Sequence, residues 1–188
     1  MRVAALIVYV IGVVLTLLAS GLLHMATRES AMRDVMLRVD HAAIFFLIAA
    51  TYTPIHIVQF RGLMRWGVLS VIWTAAAAGM VLKIAFIDVV AEWVSLTLYL
   101  ALGWAGLLTV YALHRVVGFT PLIPLMVGAV AYTTGALLDV SSLPDLVPGV
   151  IRAHEVFHFL VLIGVAAHWA YIRSMIAYTP ITDLYWLP

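Results

Sequence analysis

Six apolar runs, each about as long as a hydrocarbon layer is thick, leave this chain few places to fold except a bilayer. They cover residues 3–24, 40–58, 64–86, 93–113, 119–138 and 151–172. A helix rising ~1.5 Å per residue crosses a ~30 Å hydrocarbon core in about 20 residues. The linkers are short, and no repeat, low-complexity tract or domain boundary separates the runs. The expectation is one integral membrane domain over residues 1–188, an all-α polytopic bundle of six transmembrane helices. The first run, VAALIVYVIGVVLTLLASGLLH, exceeds the ~7–15-residue core of a secretory signal and reads as a retained helix.

Composition agrees. The chain is 65% apolar and 10% charged, with a mean hydropathy of +1.13. A soluble domain is about 45–50% apolar and about 25% charged. The net charge of +1 gives no electrostatic case for nucleic acid. The absence of cysteine excludes disulfides, thiolate metal sites and a cysteine nucleophile.

Alternation of six helices sorts the polar residues by membrane face. The first helix ends at His24, the second starts at Asp40 and the sixth begins near His154. Ser20, His24, Asp40, His154 and His158 therefore fall near one face. Positive charge does not orient the bundle. Arg28, Arg33, Arg38, Lys83 and Arg152 lie on that face, against Arg2, Arg61, Arg65, Arg115 and Arg173 on the other. The stretch MATRESAMRDVMLRV between the first two spans carries apolar positions among its charges, consistent with a short interfacial helix.

Within the last span the sequence HEVFH, residues 154–158, has the H-E-x-x-H spacing of zinc proteases. His154 and His158 are i and i+4 and share a helix face. Imidazoles in hydrocarbon are costly unless satisfied, and either zinc or a hydrogen-bonded histidine pair would satisfy them. His24, at the same depth on another helix, supplies a third nitrogen. Three protein ligands with an open fourth position is the catalytic zinc arrangement. Ser20, one turn before His24, is either a hydrogen-bond donor to a water or substrate carbonyl, or a small residue allowing close packing. Asp40 is either a helix-capping acid or a carboxylate that holds a water proton beside the metal. Glu155 is a general base on the protease reading and an interfacial or ion-paired glutamate otherwise. Asp139 is an acidic candidate for a third ligand in the stretch before HEVFH, in a context, LLDVSSLPD, that does not look like a protease.

His168 lies fourteen residues beyond His154, about 21 Å along the helix, too far to join the same site. His41, His56 and His114 flank the expected helix ends and read as interfacial. Lys83 near a helix end is expected to snorkel, and Trp66, Trp93 and Trp186 to sit in interfacial belts. Pro54, Pro121 and Pro124 are expected to loosen local backbone. Gly79, Gly103, Gly128 and Gly135 are expected to permit close helix contact.

At these residues the chain resembles a known family. SGLLH is similar to the serine and histidine that end an early membrane helix of the hemolysin III proteins. RVDHAAIFFLIAATYTP resembles their most recognisable block. IWTAAAAGMVLK, YLALGW, AYTTGA and HEVFHFLVLIGVAAH follow in the family's order, so the resemblance covers nearly the whole chain. That family is related to the progestin and adiponectin receptors. The resemblance implies a seven-helix receptor-type bundle, here lacking a counterpart of its first helix. It also implies zinc held near the cytoplasmic face by His24, His154 and His158, with Asp40 holding the water at the metal and Ser20 as the family's serine. His168 matches a histidine that is not a ligand, and Glu155 has no catalytic role there.

The function expected is a zinc-dependent hydrolase of a lipid amide, ceramidase-like, in the cell (inner) membrane. Its partners would be the lipid bilayer and a lipid substrate, with no nucleic acid. Two other classes stand beside it: a membrane-permeabilising protein with a structural metal, and a receptor-like signalling protein.

Overall fold

The computed structural model describes residues 1–27, 29–147 and 150–178; Arg28 and Trp186 lie outside them. All regular structure there is helical: α1 (Arg2–Met25), α2 (Ala31–Gln59), α3 (Gly62–Phe86), α4 (Glu92–Trp104), α5 (Gly106–Val117), a 3₁₀ turn (Thr120–Leu122), α6 (Ile123–Ser141) and α7 (Ala153–Tyr178). Six segments are long and apolar enough to cross a membrane: Arg2–Met25, Ala31–Gln59, Gly62–Phe86, Glu92–Val117, Thr120–Ser141 and Ala153–Ile176. Each coincides with one expected span. The protein is an integral, multi-pass, all-α membrane protein. The helices belong to two compact units, Met1–Gly103 and Trp104–Thr179.

In the first unit α2 packs against both α1 and α3. It is the most enclosed span, 72% buried against 28% for each neighbour. α1 presents Ala5, Tyr9, Gly12, Thr16, Ala19 and Leu23, a three-to-four-residue stripe of small and apolar side chains. Thr16 Oγ1 lies 3.1 Å from the Ala43 carbonyl, and a Cβ on Gly12 would stand 2.8 Å from Ala50 Cβ. These contacts fix an antiparallel register for the pair. α3 turns Leu69, Ile72, Ala76, Gly79 and Lys83 inward. Gly79 leaves room for the Phe45 ring, 2.4 Å from where its Cβ would be.

Several expectations change here. The linker before Asp40 does not form a separate interfacial helix. Ser30 caps α2, its hydroxyl accepting from Arg33 N at 3.2 Å, and Asp34 supplies the first-turn acid. With no breaker between residues 31 and 40, the helix runs through Asp40, which is neither an N-cap nor a first-turn residue. His41 is likewise inside α2, its Nδ1 2.8 Å from the Leu37 carbonyl. His56 is fully buried rather than interfacial. It is 0% exposed, lies 2.7 Å from the Met64 carbonyl and stacks on Tyr52 and Phe60. Lys83 does not snorkel, because it continues the inward stripe one turn after Gly79 and is 3% exposed.

α2 also continues through Pro54. The neighbouring Thr51 and Thr53 hydroxyls bond back to Leu47 and Ala49 carbonyls at 2.8 and 2.9 Å, and Trp73 Nε1 donates to Thr53 Oγ1 at 3.1 Å. The fourth span is interrupted at Ala105, between Gly103 and Gly106. Tyr52 Oη donates toward the Leu102 and Gly103 carbonyls at 2.9 and 3.2 Å, satisfying acceptors at the break. Gly103 faces open space, so it is not a contact glycine. Trp66 and Trp93 are exposed, as belt residues would be.

In the second unit α6 and α7 form the main helix pair. Pro121 and Pro124 lie in the first turns of the 3₁₀ segment and of α6, where a missing N–H costs nothing, and so start helix rather than kink it. Cβ atoms added at Gly128, Gly135 and Gly164 would meet His168 at 2.3 Å, Leu160 at 3.1 Å and Tyr132 at 2.6 Å. The helices are antiparallel and in close approach along this seam. Its register carries on to bring Asp139 of α6 opposite the first turn of α7.

Candidate metal centre

The first turn of α7 is built around Glu155. One carboxylate oxygen accepts from the backbone N–H of Arg152 at 2.9 Å. Arg152 immediately precedes the helix and Glu155 is its third residue, so this is the returning half of a capping box. The glutamate at the centre of HEVFH serves the helix end.

One turn of helix sets His154 and His158 edge to face, ring centroids 4.5 Å apart. Their Nε2 atoms are 3.1 Å apart. Two nitrogens ~2.0–2.1 Å from one tetrahedral zinc stand about 3.3 Å apart, so the pair needs to open by only a few tenths of an ångström. His154 Nδ1 points the other way, 3.1 Å from Asp139 Oδ1. Sequence reasoning weighed Asp139 only as an alternative ligand and did not foresee this contact. The one available signal was an acid at the end of the preceding helix.

On α1, Ser20 and His24 are one turn apart near its end. The register set by Thr16 and Ala43 runs antiparallel, so the next turn of α1, at Ser20, lies level with the turn of α2 that carries Asp40. Both Ser20 and Asp40 are half-buried. Tyr99 Oη donates to the His41 carbonyl at 2.8 Å, next to Asp40. His154 and His158 offer a metal two converging imidazole nitrogens, and His24 stands in the last turn of α1. Three imidazoles are a donor set suited to zinc, copper, iron or nickel.

His168 takes no part in this pair. Its Nε2 lies 3.2 Å from the Leu125 carbonyl and its ring packs on Tyr132, deep in the α6–α7 seam. His114 is exposed in the last turn of α5 against Phe119. Along α6 an apolar groove of about 420 Å³ is lined by Ile123, Val127, Val130, Thr134 and Leu160 among others.

Comparison with known proteins gives a consistent relationship. The family described as "Haemolysin-III related" matches residues 1–169. "Hemolysin-3" of Bacillus cereus is 31% identical over 165 residues, covering 87% of this chain and 71% of that protein. "Hemolysin-3 homolog" of Bacillus subtilis (strain 168) is 29% identical over 161 residues, covering 85% of this chain and 71% of the relative.

Proposed function

The chain belongs to the haemolysin-III related family, and from that premise we propose that it is a zinc-dependent hydrolase of a lipid amide. The observation that carries this reading is the His154–His158 pair of α7, whose Nε2 atoms lie 3.1 Å apart. His24, His154 and His158 hold the metal through imidazole nitrogens. Zinc held there would act as a Lewis acid toward a carbonyl and activate a water for attack. Asp40 orients that water and takes its proton. Ser20 donates to the carbonyl oxygen as negative charge develops on it. The acyl chain of the substrate lies against apolar helix surface, and the α6 groove is of the size small-molecule sites have, ~300–1,000 Å³. By likeness to the receptor branch, the site sits near the cytoplasmic face of the cell membrane.

The test is metal analysis of the detergent-purified protein with a turnover screen on N-acyl lipids. Wild type is expected to carry zinc and release fatty acid. His154→Ala is expected to lose both, and Asp40→Asn to keep the metal and lose turnover. If zinc-loaded wild type releases fatty acid from no N-acyl lipid, the hydrolase reading fails. The names of the two Bacillus relatives favour a second reading, membrane permeabilisation. It gains if His154→Ala strips the metal yet leaves dye release from vesicles unchanged.

A further inference from the structure

We propose that Asp139 is a positioning residue of the metal centre, accepting the Nδ1–H of His154 and thereby aiming the Nε2 lone pair of that ring at the metal. The proposal rests on the metal-centre reading and adds a residue to it. Three observations meet on this carboxylate. Asp139 Oδ1 is 3.1 Å from His154 Nδ1, and the opposite nitrogen of the same ring is 3.1 Å from His158 Nε2. An imidazole that donates from Nδ1 to a carboxylate has its lone pair on Nε2, which here is the atom facing the other ligand. The contact is also built rather than incidental. Close approach at Gly135, against Phe157 and Leu160, sets the two helices in the register that makes Asp139 and His154 meet one turn later.

Magnitude separates orientation from simple stabilisation. The Asp139 and His154 side chains are 36% and 44% exposed. An ion pair that open to solvent contributes little to folding. Fixing a ring's tautomer and direction at a metal is a larger effect, since loss of such an outer partner lowers metal affinity about 10–100-fold.

The experiment compares wild type, Asp139→Asn and Asp139→Ala, purified in detergent. It measures zinc affinity by chelator competition and the visible spectrum of the cobalt-substituted protein, with helix content followed by circular dichroism. Asp139→Ala should bind zinc about 10–100-fold more weakly and shift the cobalt bands while helix content holds. Asp139→Asn keeps an oxygen acceptor and should recover part of the affinity, and it decides the matter should the alanine variant not fold. Unchanged affinity and spectrum in both variants, with wild type binding metal, overturns the role of Asp139 alone. Loss of metal in Asp139→Asn as complete as in His154→Ala overturns it too, by making the carboxylate a ligand. A wild type that binds neither zinc nor cobalt overturns the centre itself.

Discussion

Thr16 Oγ1 stands between two carbonyls, its own-helix Gly12 oxygen at 2.9 Å and the Ala43 oxygen of α2 at 3.1 Å. It is 7% exposed. This hydroxyl ties α1 to α2 one turn before Ser20 and two turns before His24. Val is nearly the same shape and cannot donate. Thr16→Val is expected to cost about 0.6 kcal/mol, the average for hydrogen bonds between membrane helices, and at most about 1.7 kcal/mol. Thermal unfolding of the detergent-solubilised variant measures this, and no loss at all would mean the bond does not hold the pair.

Gly79 and Gly103 make opposite predictions for the same change. A Cβ at position 79 would fall 2.4 Å from the Phe45 ring, whereas position 103 has nothing within 4 Å. Gly79→Ala should destabilise by about 1–3 kcal/mol through overpacking. Gly103→Ala should be neutral or stabilise by up to about 1 kcal/mol through helix propensity. The pair is checked in one set of melting curves. Equal effects would contradict the packing described for α2 and α3.

Glu155 distinguishes a helix cap from a catalytic base. Glu155→Gln keeps the side-chain oxygen that receives the Arg152 N–H and should retain both metal content and any lipid-amide turnover. Glu155→Ala should loosen the start of α7, seen as faster amide exchange at its first turn. A turnover loss of about 10²-fold or more in the glutamine variant would return the residue to the role of base.

The chain has no cysteine, which makes its topology readable by labelling. Thr120 and Asp145 flank the span Thr120–Ser141 and both are exposed. With the metal face in the cytoplasm, a membrane-impermeant maleimide should label Thr120→Cys in intact cells and Asp145→Cys only after lysis. The reverse pattern would put the histidines outside.

The spans were legible because length and hydropathy leave a bilayer helix little freedom, and all six fall where the apolar runs do. The histidine pair of α7 was legible for a different reason, since the i, i+4 spacing of His154 and His158 puts both rings on one helix face. Details that depend on side-chain direction were not. Nothing in the string says that Ser30 starts α2 ten residues ahead of Asp40, since serine in a charged linker is equally at home in a loop. Nor does it say that His56 turns inward while His114 stays out, because both follow apolar runs and differ only in which neighbour meets them. Asp139 was passed over because its partner lies across a helix seam whose register is set by Gly135, four residues away.

The Ser30 cap gives α2 twenty-nine residues, about 43 Å of rigid rod against a hydrocarbon layer of about 30 Å. Such a rod cannot stand upright wholly within the layer. It leans, or it stands proud at one end, and the balance follows local bilayer thickness. Asp40 lies about a third of the way along that rod, nine residues after Ala31.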